Sequence, residues 1–468
     1  MSDERQNYLA KRQLKRGSAG WILLAGLGVS YVISGDFAGW NFGIAQAGWV
    51  GFLIAALAMA LMYFTLVLSL AEMSAAIPTA GGGYSFARQA MGPLGGYITG
   101  LSVLIEYALA PAAIVIFIGS AVNELIGIDG PIVYACFYSI FIAIHLSGIG
   151  QALKVMMVIS ALAVIAILLT AAVLIGQFDI NNLFDIPPTT YEATRLLPMG
   201  WYGVWAALPF AMWLFLAVEG VPLAAEEAKN PAKDVPKGII GAMVFLLFTA
   251  TLVVFLLAGA VGAKVIGDSP VPLVEALNIS GYSSIATLVN LLGLAGLIAS
   301  FFSIIYGYSR LVFALSRAGY LPKGLSLTNK NKVPAQALVL PGILGLAVSL
   351  SGEGDLILAM AVVGATVSYA LMSLSHILLR YKQPNLVRPY KTPGGVVTPS
   401  IALFLSLVAM TGVYAFSPPA FFMTLGLYII GIAYYLLYSR HNLVASTAEE
   451  EFEMLALAEQ ELETEFTN

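Results

Sequence analysis

Long apolar runs, each closed by Gly, Pro or a charged residue, recur along the whole chain. Crossing ~30 Å of hydrocarbon takes about 20 apolar residues. About twelve runs meet that length: residues 19–44, 48–74, 94–123, 131–149, 152–176, 200–225, 238–262, 284–312, 335–351, 356–379, 397–416 and 420–438. The pattern predicts an all-α polytopic membrane protein of about twelve transmembrane helices. A segment of residues 1–18 precedes the membrane domain of residues 19–440, and an acidic tail of residues 441–468 follows it.

The charges between the runs predict sides. If the spans alternate and the N-terminus is cytoplasmic, all but two of the 22 Lys and Arg fall inside, and only Arg195 and Lys264 fall outside. That asymmetry is the positive-inside rule, and it places both ends in the cytoplasm of a multi-pass inner (cytoplasmic) membrane protein. Composition agrees: of 468 residues 59% are hydrophobic and 10% charged, with a mean hydropathy of +0.87. So few charges cannot cover a soluble surface of this size. Eight acidic residues lie between Glu449 and Glu465; the rest of the chain has 22 basic against 18 acidic groups. The basic residues stand in short clusters between apolar runs, so no nucleic-acid partner is expected. The basic start resembles a signal peptide, but its apolar run is long and lacks a small-residue cleavage site, which reads as a retained first span. The tail reads as a solvated segment or a short amphipathic helix.

Two runs are interrupted at mid-depth. In the first, GVSYVISGDF places Ser34, Gly35 and Asp36 inside apolar sequence; in the sixth, FLAVEGVP places Glu219, Gly220 and Pro222. Freed backbone groups in lipid cost several kcal/mol each, so irregular backbone is expected only where it lines a cavity. Broken helices opening two halves of a chain point to inverted repeats, here about 19–176 and 200–379, with 397–438 as two extra spans. Glu106, followed by Tyr107, is a third intramembrane acid. Such groups cost ~2.5–3.5 kcal/mol at the bilayer centre and usually face a pathway.

No buried Lys or Arg is available to these acids. Two readings stay open: they serve a cationic guest or protons, or each is protonated or bonded to a nearby carbonyl and supports the bundle. Glu72, near the end of its run, reads as interfacial. Asp36 sits beside a half-helix end whose partial positive charge it would offset, which disfavours an anionic guest there. The expected guest carries an amine without a carboxylate, and Phe37, Tyr107 and Trp213 offer aromatic faces for a cation contact or for plain packing.

Three motifs, IPTAGGGY (Ile77 to Tyr84), LAAEEAKNPAKDVPKGI (Leu223 to Ile239) and YGYSRLVFALSRAGYLP (Tyr306 to Pro322), resemble the amino acid, polyamine and organocation transporter superfamily. The block YLAKRQLKRGSAGWILLAGLGVSYVISGDFAGWNFG looks like its ethanolamine permease branch. The resemblance implies a five-plus-five inverted repeat with alternating access and a substrate site between the breaks of spans one and six. The family's Gly-Ser/Thr-Gly turn falls on Ile33, Ser34 and Gly35, with Asp36 where Ile or Val is usual. Glu219 takes the family's frequent acidic position, Trp213 lies near the aromatic that caps substrate, and Ala217 replaces a common Gly. Span three lines the site in the family, which favours Glu106 facing the cavity. Some proton-coupled relatives carry a Lys in span five; its counterpart here is near Ala163, and Lys154 reads as a topology charge. Ser300 and Ser303 are candidate oxygen ligands for a cation, and the coupling ion stays open.

The expected activity is secondary active uptake of a small organic amine, ethanolamine foremost, with protons as a candidate coupling ion. Asp36 would hold the ammonium with help from Glu106 or Glu219, Ser34 and the unwound backbone would bond the hydroxyl, and Glu219 is the proton-coupling candidate. An amino-acid/amine exchanger and a non-transporting nutrient sensor are the alternatives. No enzyme, metal or cofactor is expected: His145, His376 and His441 are scattered and Cys136 has no evident partner. A channel is disfavoured because no filter-like loop repeats.

Overall fold

In the computed structural model, residue 17 and residues 19–147, 149–189 and 193–445 are described, with backbone alone for 149–154. The N-terminal basic cluster, the acidic tail and the side chain of Lys154 lie outside the described residues. Among the described residues the secondary structure is helical, with a single isolated bridge between Ala19 and Ala228.

Nine helices are long and apolar enough to cross a membrane: Phe42–Ala76, Gly83–Ile126, Val155–Gln177, Gly200–Glu227, Pro231–Val261, Ser283–Arg317, Gly354–Lys382, Val397–Phe416 and Pro418–His441. Three shorter apolar helices, Trp21–Phe37, Pro131–Ser147 and Ala335–Ser349, occupy the remaining places in the order of twelve. In chain order they are spans one to twelve below.

Three boundaries differ from the apolar runs. The first span stops at Phe37 because Ala38 is extended (φ −157°, ψ 156°), and the next helix starts at Phe42. Asn41, between them, is buried and donates to the carbonyls of Ile266 and Ser269 (2.8 and 2.7 Å). Spans two and three instead begin early, each with a lead-in joined at a kinked glycine: Gly48 (φ 72°) and Gly92 (φ 78°). Only glycine adopts such angles readily, and Pro93 further disfavours helix at Gly92.

The third span packs along the tenth and the eighth, the eighth along the fifth, the first along the seventh, and the second along the sixth and seventh. These contacts bury Tyr31, Tyr63, Tyr107, Tyr306 and Tyr369 at the centre. Large apolar side chains stay exposed on the outer helices, Ile132, Phe404, Ile430 and Leu437 among them. Such a surface suits a lipid solvent, which competes for none of the helix's own hydrogen bonds.

At the end carrying the basic loops, buried carboxylates meet those basic residues. Glu227 binds Arg310 (2.7 Å), and Glu226 binds Arg317 (2.7 Å) and the Ala80 N–H (2.9 Å). The two family-like motifs after spans six and eight are therefore joined by ion pairs. Residue 19 adds a backbone tie: its N–H donates to the Glu227 carbonyl (3.1 Å), and its carbonyl accepts from Lys229 (2.8 Å). Glu72 corrects its interfacial reading. It is 1% exposed and contacts His376 (3.1 Å), Arg380, Arg388 (3.0 Å) and the Thr392 N–H (2.7 Å). The cluster following span ten thus neutralises a buried acid, a role its spacing did not reveal.

Candidate functional site in the broken helices

Regular helix stops at Val32 in the first span and at Trp213 in the sixth, and the two breaks touch through backbone. A Cβ placed on Gly35 would lie 2.7 Å from the Trp213 carbonyl oxygen and 3.2 Å from the Leu214 Cα. Only glycine permits that approach. We expect Gly35→Ala to cost about 1–3 kcal/mol by overpacking and to lower transport, because relief requires the breaks to separate. Gly426→Ala is the control: a Cβ there meets nothing within 4 Å, so its stability should change by less than ~1 kcal/mol. Thermal unfolding and uptake measured on both variants check this, and equal behaviour would show that the approach is unimportant.

Several backbone groups in both breaks have partners. The Ser34 N–H donates to the Ser300 hydroxyl (2.9 Å), and the Asp36 N–H to the Ile33 carbonyl (3.2 Å). Ser300 thus caps the first break, and the Ser303 hydroxyl lies 3.4 Å from the Met156 sulfur. In span six, Ala217 takes a left-handed conformation (φ 74°, ψ 8°), followed by a 3₁₀ stretch, Val218–Glu227. A glycine is the usual occupant of such a turn, and the methyl group costs ~1–2 kcal/mol. The Ala217 N–H faces the Tyr369 hydroxyl (3.4 Å), and its carbonyl accepts from the Gly220 N–H (3.0 Å).

The three intramembrane acids divide into two places. Asp36 is 2% exposed, and neither carboxylate oxygen has a hydrogen-bond partner. Thr249 of span seven lies beside it, but its hydroxyl donates to the Leu246 carbonyl (3.2 Å). Glu106 and Glu219 are brought together elsewhere, around Tyr369 of span ten. The Tyr369 oxygen is 3.0 Å from Glu106 Oε1 and 2.8 Å from Glu219 Oε2, while the Tyr107 hydroxyl donates to Glu219 Oε1 (2.8 Å). Glu106 Oε2 is buried without a partner. No hydrogen bond or ion pair among the described residues joins Asp36 to either glutamate.

Trp213 donates its indole N–H to the Ala38 carbonyl (3.0 Å) and meets Phe117 edge-on, with ring centroids 6.1 Å apart. Phe37 lies over Gly293 and Gly296, and Ala163 is packed against Gly296. Phe37 and Phe117 also border a small, partly open and mainly apolar pocket, with Leu273, Val289, Asn290 and Leu297 on its other sides. Phe37 and Ala38 thus put the end of the first break on the wall of that pocket.

Tyr369 and Tyr63 escaped the sequence reading, since a tyrosine in an apolar run has the same appearance whether it faces lipid or an acid. The histidines fall apart from the site: His145 bonds the Phe302 carbonyl (2.9 Å), His376 contacts Glu72, and His441 contacts Arg440. Among the described residues no group of three metal-binding side chains gathers.

The profile of the amino acid permease family matches residues 20–437. The chain is 29% identical to the branched-chain amino acid permease BcaP of Bacillus subtilis (strain 168) over 463 residues, covering 92% of this chain and 95% of that protein. It is 27% identical over 400 residues to an uncharacterised transporter of Rhizobium meliloti (strain 1021), covering 83% and 84%. It is 26% identical over 438 residues to the methylthioribose transporter of Bacillus subtilis (strain 168), covering 88% and 90%. These relatives are transporters and not enzymes, and with the family profile spanning all twelve helices the chain belongs to the amino acid permease family of membrane transporters.

Proposed function

We propose that this permease takes up a small primary amine lacking a carboxylate, with ethanolamine as the first substrate to try, across the cytoplasmic membrane by alternating access. The observation that carries this reading is the buried Asp36 carboxylate, which among the described residues has no cation beside it and only the Thr249 hydroxyl as a polar neighbour. An ionised carboxylate in that condition is strongly disfavoured unless a cation joins it. A second argument concerns the carboxylate of an amino acid, which would need free N–H groups in the first break. There the Ser34 and Asp36 N–H groups already have acceptors. In this reading Asp36 holds the ammonium, Gly35 keeps the breaks close, Trp213 and Phe37 cap the guest, and Ser34 bonds its hydroxyl. The two-repeat architecture is supported by packing that survives exchange of the halves: spans three and ten correspond to eight and five, and spans one and seven to six and two. The basic, ion-paired end would then face the cytoplasm.

An amino-acid substrate is the second reading, favoured by the relatives named for branched-chain amino acids. The deciding experiment is uptake of labelled ethanolamine into liposomes containing the purified protein with an inside-negative potential. For a monovalent cation that potential supplies ~2.3 kcal/mol per 100 mV, about fifty-fold accumulation. Accumulation resistant to excess zwitterionic amino acids is the expected result. Transport of leucine or phenylalanine with no ethanolamine signal would move the assignment to the second reading.

A further inference from the structure

We infer that Glu106, Tyr369 and Glu219 form a relay that holds one proton and passes it between spans three and six, at a place separate from Asp36. The inference rests on the chain being a carrier and not on which amine it carries. Its basis is a count of hydrogens. Two oxygen–oxygen contacts, at 3.0 and 2.8 Å, meet at the Tyr369 hydroxyl, and each needs a hydrogen between its atoms. A phenol has one hydrogen, so one of the two acids must supply the other.

The surroundings say which. Glu219 accepts at both oxygens, from Tyr107 on Oε1 and from Tyr369 on Oε2, as a carboxylate does. Glu106 meets Tyr369 through Oε1 and also lies within hydrogen-bond reach of the Glu219 carboxyl, while its Oε2 has no partner, so Glu106 is the protonated member and its proton bonds Glu219 directly as well as through Tyr369. The remaining titratable groups facing the cluster are phenols: Tyr63 of span two, 3.4 Å from the Tyr369 hydroxyl, Tyr107 of span three, Tyr31 of span one, tilted against Tyr107 with ring centroids 6.1 Å apart, and Tyr428 of span twelve on the Glu106 side. Among the described residues no Lys, Arg or His bonds either acid, so no resident cation replaces the proton.

Transfer takes two balanced steps. The Glu106 O–H breaks as a new O–H forms on Tyr369, and the original Tyr369 O–H breaks as one forms on Glu219. The proton has then moved from span three to the broken span six, with Tyr369 restored. The Ala217 N–H, at 3.4 Å from the same hydroxyl, ties the relay to the left-handed turn of span six. A change in which acid is neutral therefore acts directly on the break.

Infrared difference spectroscopy on the purified full-length protein without substrate decides the first half. The wild type should show protonated-carboxyl absorption at neutral pH, to which a cation-free Asp36 also contributes; in an Asp36→Asn background a band should remain that Glu106→Gln removes and Glu219→Gln retains. A wild-type spectrum lacking that absorption overturns the relay, and that measurement depends on no variant folding and no substrate being known. Uptake driven by a pH gradient decides the second half. Tyr369→Phe keeps the ring and removes the relay oxygen, so gradient-driven uptake should fall at least tenfold relative to potential-driven uptake of the same variant. Persistence of gradient-driven uptake in Tyr369→Phe would reduce Tyr369 to a packing residue. Failure of ethanolamine as a substrate, with the infrared result intact, would count against the amine reading alone.

Discussion

Replacing Asp36 with Asn should abolish amine transport while leaving the empty protein as stable as the wild type or more so. The two effects have one cause. In the folded protein the carboxylate is buried with neither oxygen hydrogen-bonded. Desolvating an unpaired charge costs several kcal/mol, whereas a neutral amide in the same place costs about 1–3 kcal/mol. The variant therefore loses a penalty that the wild type carries. An ammonium guest reverses the comparison: removing one partner of a buried charge pair weakens binding by about 2–5 kcal/mol, or roughly 30-fold and upward. Thermal unfolding with and without ethanolamine separates the two effects. Ligand should raise the midpoint of the wild type, since it binds the folded form alone, and should leave that of Asp36→Asn unmoved. A variant that transports normally would place the ammonium elsewhere. A variant that is inactive because it unfolds would mark Asp36 as structural.

Depth was legible in the sequence and direction around each helix was not. Run length located the nine long apolar helices and the three shorter ones, and a carboxylate beside glycine located both breaks, because inserting such groups into lipid is costly wherever they point. What hydropathy does not encode is which neighbour a residue meets. Glu106 and Glu219 are 113 positions apart, and it is Tyr369, on a third helix, that joins them. Nor does hydropathy encode that Asp36 has Thr249 of span seven as its polar neighbour. The basic clusters show the same limit. Arg310, Arg317, Arg380 and Arg388 were countable as topology signals, yet their carboxylate partners lie on other spans, and only folding reveals that the charges are partly internal. Ser300 illustrates a smaller gap: a hydroxyl in an apolar helix is equally suited to a cation or to a freed N–H, and here the break supplies the N–H.

The largest loss of stability should follow from Glu227→Met. Arg310 is 1% exposed and Glu227 fully buried, and the guanidinium gives two hydrogen bonds to one carboxylate oxygen, from Nε at 2.8 Å and Nη2 at 2.7 Å. Its other contacts are weak by comparison, the Ser309 hydroxyl at 3.5 Å and the Tyr306 ring at 4.5 Å from its centre. Removing the carboxylate leaves a buried charge without its counter-ion, which costs about 3–5 kcal/mol. Adding Arg310→Met to the same chain should restore much of that loss, because an apolar pair of similar volume avoids the desolvation of both ions. This rescue distinguishes an ion pair from two residues that merely pack. The pair also joins the end of span six, which carries Glu219, to span eight, which caps the first break through Ser300. The double variant should thus recover stability without recovering full transport, since an apolar contact at that end has no charge attraction to re-form after each opening. Unfolding midpoints and uptake rates of the two single variants and the double variant measure both parts. A double variant no more stable than Glu227→Met would mean that the carboxylate acts through contacts other than Arg310, and full transport by the double variant would show that re-forming the ion pair is not part of the cycle.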